Sequence, residues 1–192
     1  MAGRTTAEPA TRRRGNTRAE IQHAALSRFI DQGYDKTSLR EIAEDLGITK
    51  AAVYYHFHSK DEILESLMGE AITRLDELVS WVHQQPPTRE VRLELITRLS
   101  AAANDGLGDL MRCVQVNETA LASMPDHVNL AHRYKHELWD AATPPDASVA
   151  DRLRFRLAVM AVLLASKGMA ELGGTAQERA AAALEVATEL MP

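Results

Sequence analysis

Apolar residues recur every three or four positions along most of the chain, which is the spacing of helices with one buried face. Leu39, Ile42 and Leu46 show this spacing clearly, and strand-like runs of Val, Ile and Thr are few. The pattern therefore predicts an all-α protein. The expected helices cover residues 17–32, 38–46, 49–56, 59–83, 88–103, 110–122, 126–141, 149–172 and 175–190, with turns between them.

Residues 37–60 are organised as two short helices on either side of a glycine, followed by the start of a third. Ser38 and Glu41 have the spacing of a capping box at the start of the first helix. Gly47 suits the end of that helix, where a positive φ is common, and Thr49 can cap the second helix. This layout predicts a helix-turn-helix, whose second helix enters the DNA major groove with its N-terminal residues leading.

The residues expected to contact DNA cluster on and around the second of these helices. Thr49, Lys50 and Ala52 are expected to face base edges, because they lie at the leading end of the helix, where small alanines permit a close approach. The full set of predicted DNA-binding residues is Thr37, Ser38, Thr49, Lys50, Ala52, Tyr54, Tyr55, His56 and Lys60.

The charge is distributed unevenly, which changes what the net value of −5 implies about partners. Residues 1–60 hold 10 Lys and Arg against 7 Asp and Glu, and residues 61–192 hold 12 against 20, so that +3 and −8 sum to −5. The positive charge therefore lies where phosphate contacts would need it. Tyr55, His56 and Lys60 are expected to bind phosphates.

The run GITKAAVYYHFHSKDEIL, residues 47–64, resembles the DNA-binding signature of TetR-type bacterial transcriptional regulators, and the similarity extends from about Thr17 to Leu67. The resemblance implies a homodimeric repressor that binds a pseudopalindromic operator and is released by a small molecule, although activation instead of repression stays open. It also implies that the ligand moves a long linking helix and so changes the separation of the two recognition helices.

The domain organisation that follows has three segments. Residues 1–16 are expected to be a disordered basic arm, residues 17–60 a helix-turn-helix DNA-binding domain, and residues 61–192 a larger helical ligand-binding and dimerisation domain. Arg12, Arg13 and Arg14 lie in the arm, where two interpretations stay open. The arm is either a solvated tail or a segment that reaches phosphates or an adjacent minor groove.

The C-terminal part of the chain contains the run from Leu157 to Ala165, which is apolar nearly all round and predicts a buried helix. The resemblance implies that the last two helices pair with those of a second copy. A core within one domain predicts the same pattern, so the spacing alone does not decide between them.

Several polar, aromatic and methionine residues of the larger domain are expected to surround a pocket between helices. Aromatic rings and flexible methionines suit a mainly apolar organic effector, and Glu118 leaves a cationic one open. The predicted ligand-binding residues are Trp81, Met111, Gln115, Asn117, Glu118, Met124, Tyr134, Trp139 and Met160.

The sequence contains no phosphate-binding loop, dinucleotide fingerprint, zinc-protease motif or nucleophile elbow, so we expect neither an enzyme nor a cofactor. His132 and His136 have a spacing that can bind a metal, but we interpret them as surface or pocket histidines. The single cysteine, Cys113, and the absence of a membrane-length apolar run favour a cytoplasmic protein. Two alternatives remain: a non-sensing DNA-binding protein with a vestigial pocket, and an enzyme that uses the helical cavity.

Overall fold

A computed structural model of the chain describes residues 10–121, 136–140, 142–165 and 170–191. Regular structure in these ranges is helical throughout, which confirms the predicted all-α class. Residues 136–140 are helical, and Ala170–Leu172 forms a short 3-10 helix. The principal helices are α1 (Ala10–Asp31), α2 (Leu39–Asp45), α3 (Lys50–His56), α4 (Lys60–His83), α5 (Arg89–Ala102), α6 (Gly108–Val116), α7 (Glu118–Leu121), α8 (Val149–Ala165) and α9 (Ala176–Leu190).

The chain divides into two compact units, residues 1–67 and residues 68–192, and the boundary falls within α4. The N-terminal unit contains α1, α2, α3 and the beginning of α4. Its core is built from apolar side chains that each of these helices contributes and that are fully excluded from solvent. These side chains are Ile21, Phe29, Ile42, Val53, Phe57, Ile63 and Leu64.

The first helix begins at Ala10, seven residues before the predicted start at Thr17. The expectation of a disordered arm is therefore wrong for residues 10–16, while residues 1–9 lie outside the described part of the chain. Ala10 and the arginines at positions 12–14 are good helix formers, whereas Gly15 and Asn16 are poor ones, so local propensity does not account for the extension. Thr17 and Glu20 have the spacing of a capping box, but both lie inside α1 and do not start it.

The caps around α2 and α3 are as predicted. The Glu41 amide donates to Ser38 Oγ at 3.3 Å, and the Ser38 amide donates to the Glu41 carboxylate at 2.8 Å. Gly47 has a φ of 61°, and Thr49 Oγ1 accepts from the Ala52 amide at 3.2 Å. These bonds fix where α2 ends and α3 begins.

The C-terminal unit has its core between the second half of α4, α5, α8 and α9. Side chains from α5 and α8, including Leu95, Leu99, Phe155 and Val159, are almost completely buried there. Helices α8 and α9 pack against each other, and α5 packs against both.

Two predicted helices of this unit differ in their bounds. The turn expected near residues 104–108 is present as a kink at Asp105 and Gly106, where Gly106 has a φ of 100°. The helix expected over 110–122 is interrupted at Asn117, which caps α6. Of the helix expected over 149–172, α8 covers Val149–Ala165, residues 166–169 lie outside the described residues, and Ala170–Leu172 forms a 3-10 helix. The helix expected over 126–141 lies largely outside the described residues.

The prediction that the apolar run of α8 is buried on all sides is wrong for the single chain. Ala158, Val159 and Val162 are buried, but Leu157 is 48% exposed and Met160 is 41% exposed. The helix therefore has one apolar face in the core and a second apolar face at the surface.

Candidate nucleic-acid interface

Helix α3 has one buried face and one face open to solvent. Val53 is fully buried and holds the helix to the core, whereas Tyr54 is 41% exposed and Tyr55 is 67% exposed. Lys50 is also exposed, and its Nζ lies 5.1 Å from the centroid of the Tyr54 ring. The start of α3 therefore presents the ammonium group of Lys50 and the side chain of Thr49 at an exposed surface of the N-terminal unit.

Further along α3, the rings of Tyr55 and His56 meet edge to face with centroids 5.2 Å apart. His56 is partly buried and Ala52 is also partly buried, so both lie at the edge of the exposed face. The structure thus brings together six predicted DNA-binding residues on one short helix and its cap: Thr49, Lys50, Ala52, Tyr54, Tyr55 and His56.

The two predicted residues that precede α2 are already engaged within the unit. Thr37 is buried, and its hydroxyl donates to the carbonyl oxygen of Gly33 at 2.9 Å while accepting from Gln32 Nε2 at 3.3 Å. Ser38 is exposed, but its hydroxyl caps α2 and donates to the Glu41 carboxylate at 2.7 Å. Both side chains hold the helix-turn-helix in shape, and Thr37 does not lie at the exposed surface.

Lys60, in the first turn of α4, is partly buried against Tyr34. Its Nζ donates to the Tyr34 carbonyl oxygen at 2.8 Å and lies 4.2 Å from the centroid of the Tyr34 ring. The Tyr34 hydroxyl in turn donates to the carboxylate of Asp61. Burial and this hydrogen bond raise the pKa of Tyr34. Lys60 therefore links the loop after α1 to the start of α4.

The start of α4 shows a modified form of a capping box. Ser59 Oγ accepts from the Glu62 amide at 3.0 Å. The Glu62 carboxylate, however, accepts from the amide of His58 at 2.6 Å instead of that of Ser59. This backbone bond is the main cause that lowers the pKa of Glu62.

The arginines next to the helix-turn-helix are mostly neutralised by carboxylates. Arg28 forms a bidentate pair with Asp45, with one Nη2–Oδ1 distance of 2.7 Å, and its other Nη lies 3.3 Å from Glu41. The hydrogen bond from Arg28 lowers the pKa of Asp45. Arg40 pairs with Glu44 across one helical turn at 2.8 Å. These ion pairs cancel charge on α1 and α2. On α3 the positive charge is that of Lys50.

Arg18 was not among the predicted site residues, although it touches the end of α3. One of its terminal nitrogens donates to the carbonyl oxygen of His56 at 3.3 Å, and the other donates to Ser66 Oγ at 2.8 Å. Its guanidinium carbon lies 4.2 Å from the centroid of the Phe57 ring. No local spacing in the sequence indicates these contacts, because the partners lie far along the chain.

The predicted ligand-binding residues of the C-terminal unit are not gathered around one described space. Trp139 is buried in the core, with the Arg156 guanidinium 4.6 Å from its ring centroid, and Trp81 is covered by Arg98 at 4.1 Å. Asn117 is buried and donates to the Cys113 carbonyl oxygen at 2.9 Å. The remaining described candidates, Met111, Gln115, Glu118 and Met160, are exposed, while Met124 and Tyr134 lie outside the described residues.

Two cavities are described in this unit. One, of about 350 Å³, lies between α4 and α5, where the Arg74 guanidinium donates to the Asp105 carbonyl oxygen at 2.7 Å across its rim. The other, of about 450 Å³, lies between α8 and α9 and is lined by small and apolar residues such as Ala161, Ala183 and Val186. Neither cavity is lined by a predicted ligand-binding residue.

Among the described residues, no group of His, Cys, Asp and Glu side chains is arranged to hold a metal ion. His132 lies outside these residues, so the pair of His132 and His136 considered from the sequence is not placed. Burial raises the pKa of the Cys113 thiol to about 11.

No helix in the described ranges combines the length and apolar character of a membrane span.

An all-α protein whose N-terminal unit exposes the second helix of a helix-turn-helix has the architecture of helix-turn-helix DNA-binding proteins. The family described as bacterial regulatory proteins, tetR family, matches residues 21–67. The transcriptional repressor KstR2 of Mycolicibacterium smegmatis is 28% identical over 144 residues, which cover 72% of this chain and 66% of that protein. The regulator TtgR of Pseudomonas putida is 42% identical over 62 residues, 32% of this chain and 30% of that protein.

Residues 21–67 of this chain are therefore similar to the DNA-binding part of the TetR family, and most of the chain is similar to a named transcriptional repressor. The solved structure of KstR2 from Mycobacterium tuberculosis, described as a ketosteroid transcriptional regulator, superposes with a TM-score of 0.60 at 21% identity. The match covers 98% of this chain and 96% of that one. This likeness supports the fold. Neither sequence match reaches two thirds of the relative's own length. Homologues in the family are transcriptional regulators and not enzymes.

Proposed function

We propose that this protein is a transcriptional regulator that binds double-stranded operator DNA through α3. The observation that carries the proposal is the exposed face of α3, on which Lys50, Tyr54 and Tyr55 project from a helix anchored by the buried Val53. A helix of this kind fits the major groove, and a rigid scaffold behind it keeps its side chains in register with base edges.

The relatives support a repressor in particular. The Mycolicibacterium smegmatis protein is named a transcriptional repressor, and a 32% identical protein of Escherichia coli is named a probable repressor of the acrEF/envCD operon. A protein that occupies an operator blocks access by RNA polymerase, so binding alone is sufficient for this activity. Repression therefore follows from operator binding and requires no further activity of the chain.

Within this interface, Thr49, Lys50 and Ala52 face base edges, and Tyr55, His56 and Lys60 bind phosphates. The division follows from position, because the first turn of a recognition helix enters the groove and its end lies near the backbone. Ser38 and Tyr54 lie at the edges of the contact. Thr37 contributes through the fold, since its hydroxyl is already bonded to Gly33.

Genomic footprinting with the purified protein tests the proposal directly. We expect discrete protected sites with two related half-sites about 34–36 Å apart. Lys50→Ala should weaken binding to such a site by about tenfold or more, because a base contact is lost. Arg89→Ala is the matched control, since it removes one positive charge from an exposed position of the C-terminal unit. Absence of any discrete protected site would contradict the proposal.

The protein acts as a homodimer in this proposal, and α8 and α9 supply the interface. Leu153, Leu157 and Met160 recur at i, i+4 and i+7, so they form one exposed apolar stripe along α8. Val186 adds an exposed apolar residue on α9. A second copy that covered this stripe would remove it from water and would place two α3 helices on one pseudopalindromic site.

An organic effector that lowers operator affinity completes the proposal. Such an effector must bind the two conformations of the protein differently, and a coupling of about 1–3 kcal/mol corresponds to a change of roughly 5–150-fold in operator affinity. Screening for compounds that both raise the melting temperature and release DNA would identify it. The alternative is a DNA-binding protein that binds no effector. It is supported by the two cavities, because neither is lined by a predicted ligand-binding residue. It would be favoured if no compound gave both effects.

A further inference from the structure

Arg18 is the point at which three helices of the N-terminal unit meet. It belongs to α1, donates to the carbonyl oxygen of His56 at the last residue of α3, and donates to Ser66 Oγ on α4. Its guanidinium also lies over the ring of Phe57, the residue that caps α3 and is fully buried. One side chain thus contacts the end of the recognition helix and the start of the linking helix.

Helix α3 needs such an external support. It has only seven residues, and a helix of that length is not stable by itself. Its last carbonyl groups have no partners within the helix, and a cation at that end is favoured by the helix dipole. The planar guanidinium satisfies the His56 carbonyl while it stacks on the next side chain, which fixes the end of α3 in both position and direction.

Ser66 connects the same guanidinium to α4. Its hydroxyl accepts from Arg18 at 2.8 Å and from Gln22 Nε2 at 3.0 Å, so two residues of α1 hold it. A shift of this part of α4 would move the acceptor of Arg18 and, through the guanidinium, the end of α3. Both terminal nitrogens of Arg18 already have acceptors inside the unit. These two bonds and the stacking on Phe57 hold the guanidinium inside the unit, where it positions the residues that it contacts.

We propose that Arg18 is a positioning residue that sets the orientation of α3 on operator DNA, and that the chain Ser66–Arg18–His56 transmits displacement of α4 to α3. This inference rests on the proposed function, because it assigns a route by which the same DNA-binding surface is regulated. It gives Arg18 no direct contact with DNA.

The test compares Arg18→Ala and Arg18→Lys with the wild-type protein in three measurements: affinity for the footprinted operator, affinity for random DNA, and the salt dependence of each. We expect Arg18→Ala to weaken operator binding by about tenfold or more while random-DNA affinity and the salt slope stay unchanged, because a phosphate contact would alter both. Arg18→Lys should not restore operator affinity, since an ammonium cannot stack and bridge as a guanidinium does.

Two outcomes would overturn the inference. If both affinities fall together and the salt slope decreases by about one, Arg18 is a phosphate ligand. If thermal unfolding shows a lower melting temperature but the folded variant binds the operator normally, Arg18 only stabilises the unit. Failure of the wild-type protein to bind any specific site would instead refute the proposed function, so the two failures are distinguishable.

A double-mutant cycle tests the connection to α4. Ser66→Ala should weaken operator binding less than Arg18→Ala, because Arg18 keeps its contacts with α3. The double variant should bind no more weakly than Arg18→Ala alone, since both substitutions break the same chain of contacts. Strictly additive losses would show that Ser66 and Arg18 act independently and would overturn the proposed route.

Discussion

The Nζ of Lys60 lies 2.8 Å from the carbonyl oxygen of Tyr34 and 4.2 Å from the centroid of the Tyr34 ring. A residue expected from the sequence to bind phosphate is thus also part of the internal structure of the helix-turn-helix unit. The two roles are compatible, because an ammonium has three donors and one bond to Tyr34 uses only one of them. They predict different effects of the same substitution.

Lys60→Ala should change both stability and DNA binding. Loss of the hydrogen bond and the cation–π contact with Tyr34 should lower the free energy of unfolding by about 1 kcal/mol, measured by urea denaturation. Loss of a phosphate contact should weaken operator and random DNA alike and reduce the salt slope by about one unit. A variant that is less stable but has the wild-type salt slope would remove Lys60 from the DNA contacts.

Tyr34 should make the N-terminal unit sensitive to alkaline pH. Its pKa is raised in the folded state by burial and by the bond to Asp61, so the folded protein retains the phenolic proton when the unfolded chain loses it. The stabilisation is therefore complete below the unfolded pKa of about 10 and should decline by about 1.4 kcal/mol for each pH unit above it.

Tyr34→Phe provides the control, because it removes the titrating group and leaves the ring. At pH 8 the wild-type protein should be more stable than this variant by about 1 kcal/mol, the value of one hydrogen bond. The difference in the free energy of unfolding should shrink above pH 10. A difference that stays constant up to pH 11 would show that Tyr34 does not carry the effect.

The parts of this fold that the sequence predicted are those held by local bonds. Ser38, Thr49, Thr88 and Thr175 each accept from an amide three residues ahead, so a short pattern of residue types is sufficient to place them. The same reasoning located Gly47 at the end of α2. Helix ends of this kind depend on few residues, and all of those residues are adjacent in the chain.

The features that the sequence did not predict depend on contacts with residues far along the chain or on how much of a helix face the rest of the fold covers. Arg18 contacts residues 38 and 48 positions away, so no local pattern indicates its role. Leu157 is as apolar as a core residue, and periodicity alone does not distinguish a core face from a face that is exposed in one chain. The start of α1 at Ala10 is not indicated by local propensity, because Gly15 and Asn16 disfavour a helix.

Two glycines should respond in opposite directions to the same substitution. Gly47 has a φ of 61° in the turn between α2 and α3, so Gly47→Ala should destabilise the protein by about 1 kcal/mol through backbone strain. Gly69 lies within α4, where an added methyl group would meet no other side chain of the described residues within 4 Å. Gly69→Ala should therefore stabilise the helix by about 0.5–1 kcal/mol. Denaturant titration of both variants measures the contrast, and equal effects would contradict it.

The exposed stripe on α8 should control association of the chain. Leu157→Glu places a charge on a residue that is 48% exposed in one copy, so it should leave the fold of the single chain intact. In a dimer, the same carboxylate would be buried without a partner, which costs several kcal/mol and favours dissociation. Sedimentation at matched concentrations should therefore show a wild-type dimer and a folded monomeric variant. The monomer should bind an operator weakly, because it engages only one half-site.

The matched control is Glu185→Gln on α9, which changes the charge of an exposed residue next to Val186 without placing a charge on the stripe. Because an amide of similar size remains hydrated at an exposed position, this variant should sediment as the wild type does. Circular dichroism would verify that both variants keep their helices. If the wild-type protein sediments as a monomer throughout the concentration range in which it binds DNA, the stripe has another role. Two-fold symmetry would then not explain how it recognises an operator.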